Sequence, residues 1–230
     1  MRRITKTTPP EEFLEYLKTP GVSYEGLSGK LKEALRLRLL EDQGYICCYC
    51  GQRIHNDKHT KIEHIKCQKN YGELELCFSN MLASCDGGDI DRSNGVRPKH
   101  QLHCDAKKGN QDIPISPLDD ISCLFSFFDD GTIKGKGDQG KELVRILGLD
   151  AEFLNTQRKN AIDSYNILAP DDLQKELLFL NEKHDGRFLE FCFVLEQYIL
   201  DLINNEATIK KLTSNQEQVA LVEYAIATNN

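Results

Sequence analysis

The chain has 230 residues, 40% of them hydrophobic and 28% charged, with nine cysteines and a net charge of −7. That balance fits an ordinary globular protein with room for a sizeable core, and no apolar run approaches the ~20 residues a membrane helix needs. Residues 1–10 carry positive charge without the apolar segment of a signal peptide, so a cytoplasmic protein is expected.

The charge is unevenly spread. Residues 1–110 hold 18 Lys and Arg against 15 Asp and Glu, a balance of +3, and residues 111–230 a balance of −10. The first part is therefore the one expected to face phosphate, and the acidic part the one expected to meet protein.

In chain order, Pro9-Pro10-Glu11-Glu12 predicts a short helix closed by Pro20-Gly21. Ser28 predicts the N-cap of a second helix through about Asp42, with Leu31, Leu35, Leu39 and Leu40 on one face. Strands are expected near 61–65 and 81–84, and a helix starting near Cys104-Asp105. The glycine-bearing stretch 86–101 lacks apolar periodicity and predicts a loop. A hairpin is expected around Asp129-Asp130-Gly131, then a loop over 135–140. From Lys141 the pattern is helical, with stripes at Leu143, Ile146, Leu147 and at Ala161, Tyr165, Leu168. A helix opening at Pro170 carries Leu173, Leu177, Leu178 and Leu180; apolar 188–202 and amphipathic 213–227 follow. The fold class is α+β: N-terminal helices (1–43), a central unit (44–115), and a hairpin with a helical C-terminal region (116–230).

Seven of the nine cysteines lie between Cys47 and Cys104. Such clustering around a C-x-x-C pair points to metal rather than to disulfides, with a redox pair as the competitor. Cys47 and Cys50 suit a tight turn that aims two thiolates at one tetrahedral ion. Cys85 and Cys104 are the expected partners, although nineteen positions separate them. His100 and His103 lie close enough to replace Cys104 as the fourth ligand. Cys48, Cys67, Cys77, Cys123 and Cys192 are expected to be small packing residues.

His64 titrates where a water must be deprotonated, so it is the candidate general base. Glu63 precedes it on a strand and faces the other way; it either reaches a metal or is a surface charge. Asn80 either fixes a loop or orients the imidazole. Asp105 begins a helix, as a charge on the helix dipole or as a hard oxygen ligand for Mg²⁺ or Mn²⁺. Lys108, three positions on, shares its helical face and could contact phosphate, with Lys107 beside it.

With Cys47-x-x-Cys50, Glu63-His64, Asn80 before Cys85, and Cys104-Asp105-Ala106-Lys107-Lys108-Gly109-Asn110 in that order, the chain resembles the HNH endonucleases. It is more specifically similar to the PtuB proteins, HNH partners of the ATPase PtuA in Septu-type antiphage systems, some of them in retrons. Met1-Arg2-Arg3-Ile4, Glu41 through Cys47, Phe128 through Ile133, and the Leu147-Gly148-Leu149-Asp150 run with Arg158 carry that narrower likeness. The resemblance implies a small zinc-stabilised ββα-metal core and metal-dependent phosphodiester hydrolysis. In it His64 activates water, Asn80 orients His64, and Asp105 with Glu63 and His64 holds the catalytic ion. It also implies a PtuA-like ATPase partner, a nucleic-acid substrate (DNA or tRNA), and in a retron setting a reverse transcriptase with its RNA and DNA. The competing expectation is a zinc-stabilised binding module or adaptor without catalysis.

Overall fold

The computed structural model describes residues 1–96, 98–165 and 173–204. Its elements are α1 (Glu11–Leu17), α2 (Gly29–Gln43), β1 (Thr60–His64), β2 (Met81–Cys85), α3 (Asp89–Ser93), α4 (Cys104–Lys108), β3 (Phe125–Phe127), β4 (Ile133–Gly135), α5 (Gly137–Leu147), α6 (Glu152–Ser164) and α7 (Leu173–Asn181), then a helix α8 over 192–204. The chain is thus α+β. Both sheets are two-stranded and antiparallel.

Ser28 caps α2 as expected: its hydroxyl accepts from the Leu31 amide at 3.2 Å, satisfying one of the orphan donors of the first turn. Leu35, Leu39 and Leu40 of α2 are fully buried. β1 and β2 pair in the register Thr60 with Cys85 through His64 with Met81. Two-stranded sheets are marginal alone, and this one is held by what covers it. Buried Gln43 at the end of α2 donates to the Ala83 carbonyl at 2.8 Å and accepts from the Ala83 amide at 2.7 Å. The Cys48 amide also donates to the Ala83 carbonyl, at 3.1 Å. The free edge of β2 is therefore closed by a side chain and a turn rather than by a third strand.

One apolar core runs from Met1 and Phe13 through α2, the β1–β2 hairpin, Phe125, α5 and Leu154. A second, smaller cluster joins Ile46 and Ile162 to α7 and α8. Between hairpin β3–β4 and the helices that follow, Arg158 is 1% exposed; it donates to the Gly131 carbonyl at 2.7 Å and to the Leu149 carbonyl at 2.9 Å, and also bonds Asn155. This accounts for the Asn155-x-x-Arg158 spacing: one guanidinium ties the hairpin turn, the end of α5 and α6 together. Arg158→Leu is expected to destabilise the fold by about 3 kcal/mol, because two buried carbonyls lose a charged donor. Thermal melting checks it, and an unchanged midpoint would remove Arg158 from that role.

Several expectations shift. The 86–101 stretch contains the single-turn helix α3 and a 3₁₀ turn at Lys99–Gln101. The loop expected over 135–140 is instead the start of α5. Gly140 sits inside that helix because it packs against neighbouring backbone: an added Cβ would lie 2.4 Å from the Leu124 carbonyl oxygen. Leu143, Ile146 and Leu147 are buried as their spacing predicts, but Leu178 of α7 is 66% exposed. The apolar 188–202 segment becomes helical only from 192. Leu168, the Pro170 helix start and the 213–227 segment lie outside the described residues. No helix among the described residues is long and apolar enough to cross a membrane.

Candidate metal centre and active site

The C-x-x-C segment is a short antiparallel turn. Ile46 bridges to Arg53, the Cys47 amide donates to the Gln52 carbonyl at 2.9 Å, and the Gly51 amide to the Cys47 carbonyl at 3.1 Å. Both thiols of the turn face Cys85, at the end of β2, and Cys104, at the start of α4. All four Sγ atoms are buried and lie within 4.8 Å of one another. Cys47 and Cys104 are 3.8 Å apart, and Cys50 and Cys85 3.9 Å. A tetrahedral zinc with bonds of about 2.3 Å separates its sulfurs by about 3.8 Å, whereas a disulfide brings them to about 2 Å. The thiols therefore fit structural zinc. Burial raises the Cys47 thiol, but hydrogen bonds from Cys104, Cys48, Cys50 and Cys85 outweigh it and hold the group well below its usual range. The Cys85 amide also points at Cys47 Sγ, 3.3 Å away, as at a thiolate.

The eighteen residues between Cys85 and Cys104 do not disturb this arrangement. The His103 amide donates to the Gly87 carbonyl at 3.1 Å, which brings the two ends of the insertion together beside the thiols. Gly87 has φ +62°, and an added Cβ would meet the His103 carbonyl oxygen at 1.8 Å, so only glycine allows this closure. The insertion is an excursion from a turn closed at its base. The fourth position is filled by Cys104. His103 is buried elsewhere, with Nδ1 3.2 Å from the Gln101 carbonyl and its ring stacked on Phe153; His100 is exposed.

Glu63 and His64 face opposite sides at the end of β1. The His64 ring meets Tyr24 edge-on at 4.7 Å, and its Nε2 lies 2.9 Å from the Glu75 carbonyl. A carbonyl can only accept, so Nε2 carries the proton and Nδ1 of the neutral ring has its lone pair free. Burial lowers the His64 pKa below its ordinary value, against the raising effect of the Glu75 contact. The imidazole is therefore held neutral in one tautomer.

Asn80 does not touch the imidazole. Its Oδ1 accepts from the Lys66 amide at 2.8 Å, and its Nδ2 donates to the carbonyls of Lys66 at 3.0 Å and Leu74 at 3.2 Å. It pins the loop between β1 and β2, one residue from the Glu75 carbonyl that orients His64.

Glu63 is buried, 4% exposed, rather than a surface charge. Its Oε1 accepts from Tyr49 at 2.9 Å and pairs with Lys108 Nζ at 2.7 Å. Burial first, then the neighbouring Asp105 carboxyl, push its pKa up to about 8, against the pull of Lys108. Lys108 is a correction to the sequence-based expectation. It is 1% exposed and bonded to Glu63 and to the His64 carbonyl at 2.9 Å, so it braces the site from inside and is not available to phosphate. The five-residue helix α4 turns that face toward β1, and Lys107 is the lysine left exposed. Tyr49, which nothing in the spacing singled out, proves to be part of this network.

Asp105 is half-buried and acts electrostatically on His64 and Tyr24 as well as on Glu63. Glu63 and Asp105 are neighbouring carboxyl groups, the hard oxygen donors that Mg²⁺ or Mn²⁺ takes, so the pair fits such an ion chemically. The expected trio of Glu63, His64 and Asp105 does not gather as closely as the thiols: the four cysteines are the group of ligand atoms found among the described residues.

No family model matches the chain. It is similar to an Escherichia coli protein described as "Retron Ec83 putative HNH endonuclease", 27% identical over 121 residues that make up 48% of this chain and 46% of that protein. The chain thus matches about half the length of that relative.

Proposed function

We propose that the chain is a metal-dependent HNH endonuclease that hydrolyses nucleic-acid phosphodiester bonds as an effector of antiphage defence. The observation that carries this is the placement, by one hairpin and one short helix, of a tautomer-fixed histidine beside two neighbouring carboxyl groups, on a frame closed by four thiols. The similarity to the protein described as "Retron Ec83 putative HNH endonuclease" supports the same reading.

His64 Nδ1 takes a proton from a water, and the resulting hydroxide attacks phosphorus as the opposite P–O bond breaks. Asp105 and Glu63 would hold a divalent cation, Mg²⁺ or Mn²⁺, whose positive charge would offset the charge growing on the leaving oxygen. Asn80 and the Glu75 carbonyl keep the imidazole in its tautomer. Lys107, exposed on α4, contacts a flanking phosphate. Cys47, Cys50, Cys85 and Cys104 would hold a structural zinc, which would tie the hairpin to the helix.

His64 is 6% exposed, and residues 1–110 carry a balance of only +3. Bringing a scissile phosphate to so buried a base then depends on positioning by a partner. The resemblance to PtuB supports an ATPase of the PtuA kind, docked through the acidic helical half, in the bacterial cytoplasm. In a retron setting the reverse transcriptase with its RNA and DNA joins that assembly, and the polymer cut is DNA or tRNA.

The test is incubation of the protein, alone and with a co-purified ATPase partner, with plasmid DNA and total RNA in Mg²⁺ or Mn²⁺. Metal-dependent cutting of either polymer is expected; zinc-loaded protein that cuts neither in any combination favours the adaptor reading. The pH dependence follows from His64. Its pKa is lowered, so the base-competent neutral form persists to lower pH than for an ordinary histidine. The acid limb of kcat/KM is expected below pH 6.5. A limb at or above the ordinary histidine value would argue against His64 as the titrating base.

A further inference from the structure

Tyr49 lies inside the C-x-x-C turn, between Cys48 and the zinc-type ligand Cys50, and is 1% exposed. Its ring is fixed by the turn that the thiols close. Its hydroxyl leaves that turn and donates to Glu63 Oε1 at 2.9 Å, the same oxygen that takes Lys108 at 2.7 Å. Two donors on one oxygen fix the rotation of the carboxylate and leave Oε2 outside both contacts. Lys108 reaches from α4 to both Glu63 and the His64 carbonyl, and so clamps helix to strand. Tyr49 is the group that joins this clamp to the thiol centre. A buried aromatic in a metal turn needs no hydroxyl to pack; a hydroxyl spent on a carboxylate of the other site does something packing does not.

We propose that Tyr49 is a positioning residue for the cation-binding carboxylate Glu63, through which an intact thiol centre becomes a condition for binding the divalent cation. The inference rests on the reading of Glu63 as a cation ligand. Outer partners of a metal ligand, when removed, typically weaken metal binding by about 10–100-fold. Loss or oxidation of the thiol centre would then silence the nuclease at the cation step as well as through unfolding.

The experiment uses the full-length zinc-loaded protein and Mn²⁺ alone as the probe, with binding read by calorimetry or electron paramagnetic resonance. Tyr49→Phe is expected to keep its zinc and its cooperative melting transition, at a midpoint lowered only as the loss of one buried hydrogen bond lowers it, while binding Mn²⁺ about tenfold more weakly. In a Glu63→Ala background the same substitution is expected to change Mn²⁺ affinity no further. Wild-type affinity in Tyr49→Phe overturns the proposal, as does a loss that accompanies loss of zinc or of the cooperative melting transition, or one that persists without Glu63. If Glu63→Ala does not fold, the zinc, melting and Mn²⁺ measurements on Tyr49→Phe decide alone. Cleavage by the wild type tests the nuclease reading separately: a cutting enzyme whose Tyr49→Phe variant binds Mn²⁺ normally sinks this inference only.

Discussion

His64→Gln is expected to cut its substrate about 10²–10⁴-fold more slowly than the wild type, the usual contribution of a positioned general base. Glutamine is the informative replacement. Its amide can still donate to the Glu75 carbonyl, which His64 Nε2 reaches at 2.9 Å, so the loop that shapes the site keeps its anchor. What it lacks is a nitrogen that accepts a proton near neutral pH. His64→Ala is expected to lose the same activity and also about 1–3 kcal/mol of stability, because the buried Glu75 carbonyl then loses its donor. Neither change touches the thiols, so zinc content is expected to stay at the wild-type level in both. Single-turnover cleavage with the zinc assay alongside separates the cases: full activity in His64→Gln removes the base assignment, whereas lost activity with lost zinc would report a collapsed site.

The two sites differ in how much of them could be seen in the sequence. Thiols announce themselves, because a C-x-x-C turn has few other uses and two more cysteines stand where a hairpin and a helix meet. Their fourth member stayed open against His100 and His103, since spacing cannot show that an insertion is pinched shut at its base. The Gly87–His103 closure does that, and it depends on a left-handed backbone that only the fold reveals. The oxygen site was harder. Glu63 and Lys108 look like surface charges by type, yet both are buried because each provides the other's counter-charge, and burying either without its partner would be costly. Helical spacing put Lys108 on the face of Asp105 but could not tell which side of a five-residue helix met the strand. Asn80 had two roles open, and its three bonds to loop backbone settle which atoms it touches. Gly137 and Gly140 read as a loop, yet both lie in α5, where Gly140 lets backbone meet backbone. Of the cysteines expected to pack, Cys48, Cys67 and Cys192 are buried, Cys77 is partly so, and Cys123 is exposed.

Cys104→Ser is expected to lose zinc and with it the cooperative folding of the hairpin–helix unit, whereas His103→Ala is expected to keep both. A structural zinc site contributes on the order of 10–16 kcal/mol, as much as the whole stability of an ordinary domain. Little else holds this region: β1 and β2 are five residues each and α4 is five, too short to persist without tertiary support. Cys104 also has φ +49°, a left-handed conformation that costs a non-glycine residue and persists only where its surroundings hold it. That backbone places Cys104 Sγ 3.8 Å from Cys47 Sγ while it opens the helix carrying Asp105 and Lys108. Releasing that sulfur lets the residue relax to an ordinary backbone and swings both side chains away from Glu63. His103 lacks this leverage, because its ring stacks on Phe153 and its nitrogen meets the Gln101 carbonyl, outside the thiol group. Zinc stoichiometry and thermal melting of the two variants decide the matter. A Cys104→Ser protein that kept its zinc and melted like the wild type, beside a His103→Ala protein that did not, would move the fourth ligand to the histidine and undo the account of how α4 is aimed.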